Sequence, residues 1–402
     1  MPVIVESIPS VRSAALAWLI PAGSATDPED LQGLSPLYAE LLMRGAGDRD
    51  SRAHADAMDR LGASRSSEAG TTFVHVSATV LGDQMARAMG LIVDMVRRPR
   101  MDESSLEPAR TLAIQAIQSL QDDPQGRASL LARQRHLPEP INRSGLGTIE
   151  GLEAATREDV VRGWSRRARP GGSILAIAGA VNAEALFGRL DRLLDGWEGS
   201  AEQIVPKGVP PRGYAHEPDE SSQVQIMVLC DAPPEPDPDS MLERVVIGVL
   251  SGGMSCRLFT EVRERRGLCY SVSASYKAQR DFGLVRAYVG TTPERAQESL
   301  DVLIEQLKRI NTPEGRITPE EFQRAIVGMK SRVVFSGEST AARAGALAGD
   351  QHRLGRPRPL AEIAGQIDRI TLDQVNEYLG RRELGRLTIQ TLGPGPLTPP
   401  SE

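Results

Sequence analysis

The chain has 402 residues, too many for one ordinary hydrophobic core and enough for two domains of roughly 200 residues each, and its 40% hydrophobic content supplies both. A net charge of −6 gives no electrostatic reason to expect nucleic acid, and the basic clusters Arg97-Arg98-Pro99-Arg100 and Arg166-Arg167-Ala168-Arg169 read as solvated faces or helix ends. Cys230, Cys256 and Cys269 lack paired C-x-x-C spacing, which argues against a disulfide framework or a zinc knuckle and reads as buried thiols, while the absence of a basic n-region and of any long uncharged apolar run predicts a soluble, cytoplasmic chain with no membrane contact.

In chain order, alternating Phe73-Val74-His75-Val76-Ser77-Ala78-Thr79-Val80 predicts a strand. A helical stripe follows through Met85, Met89, Ile92 and Met95, then a Pro99 break and a second helix from about Glu103 to Leu120. The segment Val205-Pro206-Lys207-Gly208-Val209-Pro210-Pro211-Arg212-Gly213 can neither continue a helix nor pair fully in a sheet, so it reads as an interdomain linker. Beyond it the same order recurs: a strand at Leu284-Val285-Arg286-Ala287-Tyr288-Val289, a stripe through Ala296, Leu300, Leu303 and Leu307, a loop at Thr312-Pro313-Glu314-Gly315, and a helix from about Thr318. The offset is about 211 residues, which predicts an internal duplication. The expected organisation is an N-terminal domain over 1–204, a linker over 205–214 and a C-terminal domain over 215–402. Each domain is expected to be α+β, a mainly antiparallel sheet with helices packed on one face.

The usual catalytic signatures are missing. His54, His75, His136, His216 and His352 are scattered without ligand partners at convincing spacing and read as surface or half-buried residues. Gly337-Glu338-Ser339-Thr340-Ala341 lacks the closing glycine of a nucleophile elbow, so Ser339 is expected to be a helix N-cap. Gly252-Gly253 has neither a third glycine in register nor a Lys-Ser/Thr ending, and no phosphate loop is read there. What remains is Arg263-Glu264-Arg265-Arg266-Gly267-Leu268-Cys269-Tyr270, a guanidinium and a phenol seven residues apart across a Gly-marked turn between a helix and a strand. Both groups donate hydrogen bonds, and both could serve a peptide carbonyl or the oxyanion formed when water attacks it.

Several stretches, weak singly but in a shared order, give the chain a family resemblance. They run through Ala17 to Pro28, Gly33 to Gly45, Asp122-Asp123-Pro124, Gly147 to Leu152, Ile177 to Val181 and Leu250 to Tyr276. Together they resemble the insulysin/pitrilysin superfamily of zinc peptidases, the inverted-motif group that includes the mitochondrial processing peptidase. Active members carry H-x-x-E-H on a helix, with two imidazoles as zinc ligands and the Glu activating water, and a third ligand, a Glu, about 76 residues further on. Aligned on that pattern, Pro36 stands at the first ligand, Ala39 at the general base, Glu40 at the second ligand and Ala116 at the third. One carboxylate cannot rebuild a site of three protein donors, so no cofactor is expected on this chain.

The resemblance also implies that Arg263 and Tyr270, in the context Gly252-Gly253-x-Ser255-x-Arg257-Leu258-Phe259, reach across an interdomain chamber to the substrate. A chain with this pair and without zinc ligands is expected to be the non-zinc subunit of a heterodimeric metallopeptidase, inactive alone, with the zinc on a homologous H-x-x-E-H partner. Its substrate would be a peptide or unfolded segment captured by edge-strand addition, with the edge around Ala63-Ser64-Arg65-Ser66-Ser67-Glu68 as a further peptide contact. The alternatives are a catalytically inert structural subunit and a homodimeric peptide binder.

Overall fold

The computed structural model describes residues 1–399. Two compact units divide it: Met1–Gln121, Pro138–Gly208 and Gly337–Pro357 form unit 1, and Asp122–Leu137, Val209–Ser336 and the chain from Arg358 onward form unit 2. Unit 1 opens with β1 (Val3–Ser7), β2 (Ser13–Ile20), α1 (Leu34–Leu42), β3 (Gly45–Ala46), β4 (Arg49–Asp50), α2 (Ser51–Asp59), β5 (Ser64–Ala69), β6 (Val74–Leu81), α3 (Met85–Arg97) and α4 (Glu103–Ser119). The chain then contributes α5 (Pro124–His136) to unit 2 before returning with α6 (Ile149–Ala154), α7 (Arg157–Arg167), β7 (Ile174–Gly179) and α8 (Ala183–Leu193). Unit 2 continues with β8 (Gly213–Pro218), β9 (Val224–Ala232), α9 (Ser240–Ser251), a π-helix at Phe259–Glu264, β10 (Cys269–Ala278), β11 (Gly283–Thr291), α10 (Ala296–Arg309) and α11 (Pro319–Glu338). Next, α12 (Thr340–Leu354) packs in unit 1, and α13 (Leu360–Asp368), α14 (Leu372–Leu379) and β12 (Thr388–Gly393) complete unit 2.

Both sheets share one topology. Unit 1 runs β1-β7-β2-β6-β5 and unit 2 runs β8-β12-β9-β11-β10; the first pair is parallel in each, and the remaining pairs are antiparallel. Corresponding elements keep a nearly constant spacing, with β9 starting at Val224 against Ser13 for β2, and α10 at Ala296 against Met85 for α3, 211 positions in both cases. The fold class is thus α+β with two copies of one mixed sheet.

The helical layer lies where the 3.6-residue stripes predict it. In unit 2, Val224, Ile226, Val228 and Cys230 of β9 share a core with Val245, Val249, Leu300, Leu303 and Leu307 of α9 and α10. In unit 1, Leu16, Trp18 and Ile20 meet Leu37, Leu41, Met89 and Ile92 in the same way. Each sheet also has a second, thinner cover, which the sequence patterns did not reveal. Helix α5 places Ala128 and Ala132 against Met227, Leu229 and Leu392 on the opposite face of the unit 2 sheet. Helix α12 places Ala344, Leu347 and Ala348 against Ala15, Leu19, Ala176 and Ala178 of the unit 1 sheet. Alanine on both sides of these contacts lets the helix lie close to the strands. Every residue of β7 and β12 is buried; β7 reads as a continuous apolar run, whereas β12 also buries Thr388, Gln390 and Thr391.

Polar contacts pin the two returning helices. Arg343 of α12, 1% exposed, holds the Glu6 carboxylate bidentately at 2.6 and 2.5 Å. Helix α5 is tied by Arg127 to Asp219 at 2.7 Å, and by His136 to Thr388 at 3.0 Å. The compact units are therefore discontinuous in sequence, whereas a division at 205–214 follows the order of the chain; within that stretch Gly213 already begins β8.

Candidate functional site

Arg263 and Tyr270 come together in unit 2, and two local irregularities bring this about. The helix that follows Gly252-Gly253-Met254-Ser255-Cys256 carries a π-helical segment, Phe259–Glu264, the kind of over-wide turn that recurs at functional sites because it rotates side chains out of α-register. Gly267, at φ +60°, ends it in a left-handed turn, with its N–H donating to the Arg263 carbonyl at 3.0 Å. Strand β10 starts two residues later. There Cys269 pairs with Thr291 and Ser271 with Gly290, so Tyr270 is the extra residue of a β-bulge.

The bulge turns Tyr270 outward, leaving it 83% exposed although it lies in a strand beside a buried core. The Arg263 guanidinium stacks between two rings, 4.7 Å from the Phe259 centroid and 5.1 Å from that of Tyr270. Stacking on ring faces fixes the plane of the guanidinium, leaving its edge N–H groups and the phenolic hydroxyl as donors for a ligand. Phe259 is thus a third member of the site. Its position four residues before Arg263 on a helix was the only sequence signal for it. The neighbouring basic residues are occupied: Arg265 and Arg266 both pair with Glu261, at 2.6 and 2.7 Å, and Arg257 binds Glu321 through two contacts of 2.7 Å.

The degenerate metal positions lie on α1 and α4 of unit 1, which pack together. Pro36 occupies the first turn of α1, where its missing N–H costs no helical bond. Ala39 is buried, and Ala116 is exposed on α4. Glu40, the only carboxylate of the four, is engaged by Arg44 one turn later at 2.7 Å. Pro and Ala offer no donor atoms, and the remaining carboxylate is already ion-paired, so these residues do not fit a catalytic zinc ion. Among the described residues no group of three or more His, Cys, Asp and Glu side chains is placed to hold a metal.

The entrance to α1 is nevertheless strongly built. Asp27, 5% exposed, accepts hydrogen bonds through one oxygen from the Gly33 N–H at 3.0 Å, the Ser35 N–H at 3.2 Å and the Ser35 hydroxyl at 3.1 Å. It serves the orphan amides of the helix start from outside the usual N-cap position. Burial raises its carboxyl to about 6 despite the opposing effect of those hydrogen bonds.

Two sequence expectations need correction. His54 and His136 are fully buried rather than surface or half-buried. His54 sits between the Arg65 guanidinium at 3.1 Å and the Leu91 carbonyl at 3.3 Å, and His136 between Thr388 and Asp231, so hydrogen bonds satisfy both rings inside the core. Of the three free cysteines only Cys230 is buried; Cys256 and Cys269 flank the Arg263 helix and are half-buried. Ser339 does cap α12, accepting from the Ala342 N–H at 3.2 Å. Strand β5 is one edge of the unit 1 sheet, as β10 is one edge of the unit 2 sheet. No helix among the described residues is long and apolar enough to cross a membrane.

Comparison with known proteins places the chain in a family. The chain is 24% identical over 409 residues to an uncharacterized zinc protease of Streptomyces coelicolor, covering 98% of this chain and 87% of the relative. It is also 24% identical over 380 residues to one of Bacillus subtilis, covering 93% and 91%. The crystal structure of a peptidase M16 inactive domain from Pseudomonas fluorescens superimposes with a TM-score of 0.88 at 21% identity, covering 100% of this chain and 97% of that one. Residues 2–144 match the family model described as insulinase, peptidase family M16, and residues 154–329 match the one described as the peptidase M16 inactive domain. With both models met in order along one duplicated fold, this chain belongs to peptidase family M16.

Proposed function

We propose that this chain is the non-zinc subunit of a heterodimeric M16 metallopeptidase, inactive alone, and that it supplies Arg263 and Tyr270 to a hydrolytic site whose zinc is held by a homologous H-x-x-E-H subunit. The observation that carries the proposal is the pairing of a half-buried, stacked guanidinium and an exposed phenol in unit 2 with a unit 1 whose metal positions read Pro36, Ala39, Glu40 and Ala116. On this chain the chemistry is donation. Arg263 and Tyr270 hold the carbonyl of a bound peptide and the negative charge that develops on its oxygen, and the stacking of Arg263 prepays part of the cost of ordering it. The substrate is an extended or unfolded polypeptide, and the open edges β10 and β5 supply main-chain donors and acceptors for strand addition.

The test begins with a tagged pull-down from the native host. A stoichiometric partner of similar size bearing H-x-x-E-H is expected, and the reconstituted pair should cleave unstructured peptides. Arg263→Ala should lower turnover by about 10²- to 10³-fold, the range for loss of one oxyanion donor, with subunit association unchanged. Tyr270→Phe should also lower turnover. Full turnover in both variants would exclude the catalytic role and leave an inert peptide-binding or structural subunit.

A further inference from the structure

A cleft of about 180 Å³ opens in unit 2 between α11 and the Gly252–Cys256 loop that leads into the Arg263 helix. It exists because small residues hold the walls together at its base and leave space higher up. A Cβ on Gly248 of α9 would come within 3.1 Å of Ala325 on α11, one on Gly252 would strike the Gly248 carbonyl at 2.2 Å, and Gly328 faces open space. Two guanidiniums on α11, Arg324 and Arg332, line the cleft. Both are exposed and form no direct hydrogen bond or close ion pair with another described residue, Arg324 acting on Glu321 only at longer range. The one acid in the lining, Glu321, is already bound bidentately by Arg257. With Glu321 its one acid and two guanidiniums in its lining, the cleft carries a net positive charge on a chain whose net charge is −6. Beside it α11 exposes Val327, Val334 and Phe335, at 51, 59 and 66%, and the loop exposes Met254 at 76%.

We infer that this cleft is a second polypeptide-binding subsite, selective for acidic side chains on an extended segment whose apolar residues lie along Val327, Val334 and Phe335. Arg324 and Arg332 are eight residues apart on one helix, on the order of 12 Å at 1.5 Å per residue. That separation suits two carboxylates about four residues apart on an extended chain better than the single carboxylate of a chain end. The inference rests on the proposed handling of polypeptide and adds a preference in substrate sequence.

The test uses the full chain alone and two fluorescein-labelled, C-terminally amidated unstructured peptides. One carries two glutamates four residues apart among apolar residues; the other has glutamines in their place. The glutamate peptide should bind about tenfold more tightly at low salt, the combined worth of two exposed ion pairs, with the preference shrinking as ionic strength rises. Arg324→Ala/Arg332→Ala should abolish the preference, and Arg324→Lys/Arg332→Lys should retain most of it, since both positions are exposed and neither change disturbs the core. Equal binding of the two peptides, or a preference that survives the double alanine variant, would overturn the inference. No partner is needed in this assay, so its failure is separable from failure of the catalytic role, which partner-dependent turnover decides.

Discussion

The two units repeat one strand order and one pattern of helical cover, yet they differ in the segment between the first core helix and the edge strand. In unit 1 that segment is the short β3–β4 hairpin and a regular helix, α2, capped by Asp50 and buried through His54 and Met58, and it leads to a six-residue edge strand. In unit 2 it is a glycine-rich loop and a π-helix leading to a ten-residue edge strand with a bulge at its start. The two irregularities bring Arg263, half-buried, against the ring of Tyr270, which is 83% exposed. The difference shows that a duplicated sheet conserves what its core requires, while the connection at the sheet edge is free to be irregular and can carry chemistry.

Stability measurements can break or sharpen this comparison. The largest effect is expected in unit 2, where Glu243, 0% exposed, is bound twice by Arg382 at 2.7 Å and once by the Tyr378 hydroxyl at 2.6 Å. Glu243→Ala leaves a buried guanidinium unpaired and should cost about 3–5 kcal/mol in urea unfolding. A loss below about 1 kcal/mol would mean that solvent reaches the pair. In unit 1 the corresponding sensitivity is to pH. Asp27 titrates near 6 in the folded chain against 3.8 for the free side chain, because burial disfavours its charge. Between those values the folded state holds the proton that the unfolded state has lost. Stability should therefore fall by on the order of 2–3 kcal/mol as pH rises from about 4 to about 6, and Asp27→Asn should flatten that slope. An unchanged slope in the variant would assign the pH dependence to other groups.

The crossing helices test whether the two covers are equally tight. Ala348→Leu on α12 and Ala128→Leu on α5 should each destabilise by about 1–3 kcal/mol, since both replace a fully buried methyl against a sheet. A neutral result in one alone would show that the two faces are packed unequally. Smaller still is Phe259→Leu, which removes one of the two rings stacked on Arg263 and should cost about 0.5–1 kcal/mol while lowering partner-dependent turnover. Glu40→Ala breaks only a half-exposed i,i+4 ion pair and should stay within about 0.5 kcal/mol. Together with Glu243→Ala it contrasts a vestigial carboxylate with a structural one.

Much of this was legible in residue order. The alternation over Phe73–Val80 gave β6 to within a residue at each end, and the stripe through Ala296, Leu300, Leu303 and Leu307 gave the buried face of α10, because periodic burial is a local consequence of a helix or strand facing one core. The duplication and the family were legible for the same reason, and so was the absence of donors at Pro36, Ala39 and Ala116, since a side chain without a donor atom cannot ligate in any fold.

The rest required the tertiary structure. Helices α5 and α12 look like ordinary continuations of their own halves, and only packing assigns each to a unit interrupted in sequence, because alanine-rich faces are equally compatible with either neighbour. The burial of His54 and His136 was invisible because the partners that satisfy them are distant, with Thr388 lying 252 residues beyond His136. The π-helix and the bulge at Tyr270 were equally hidden, since each is a one-residue slip in hydrogen-bond register set by how Leu258, Val262 and Leu268 settle into the core. Residue types alone determined which donors this chain possesses; register and packing decided which of them reach solvent, because exposure belongs to the folded surface and not to the residue.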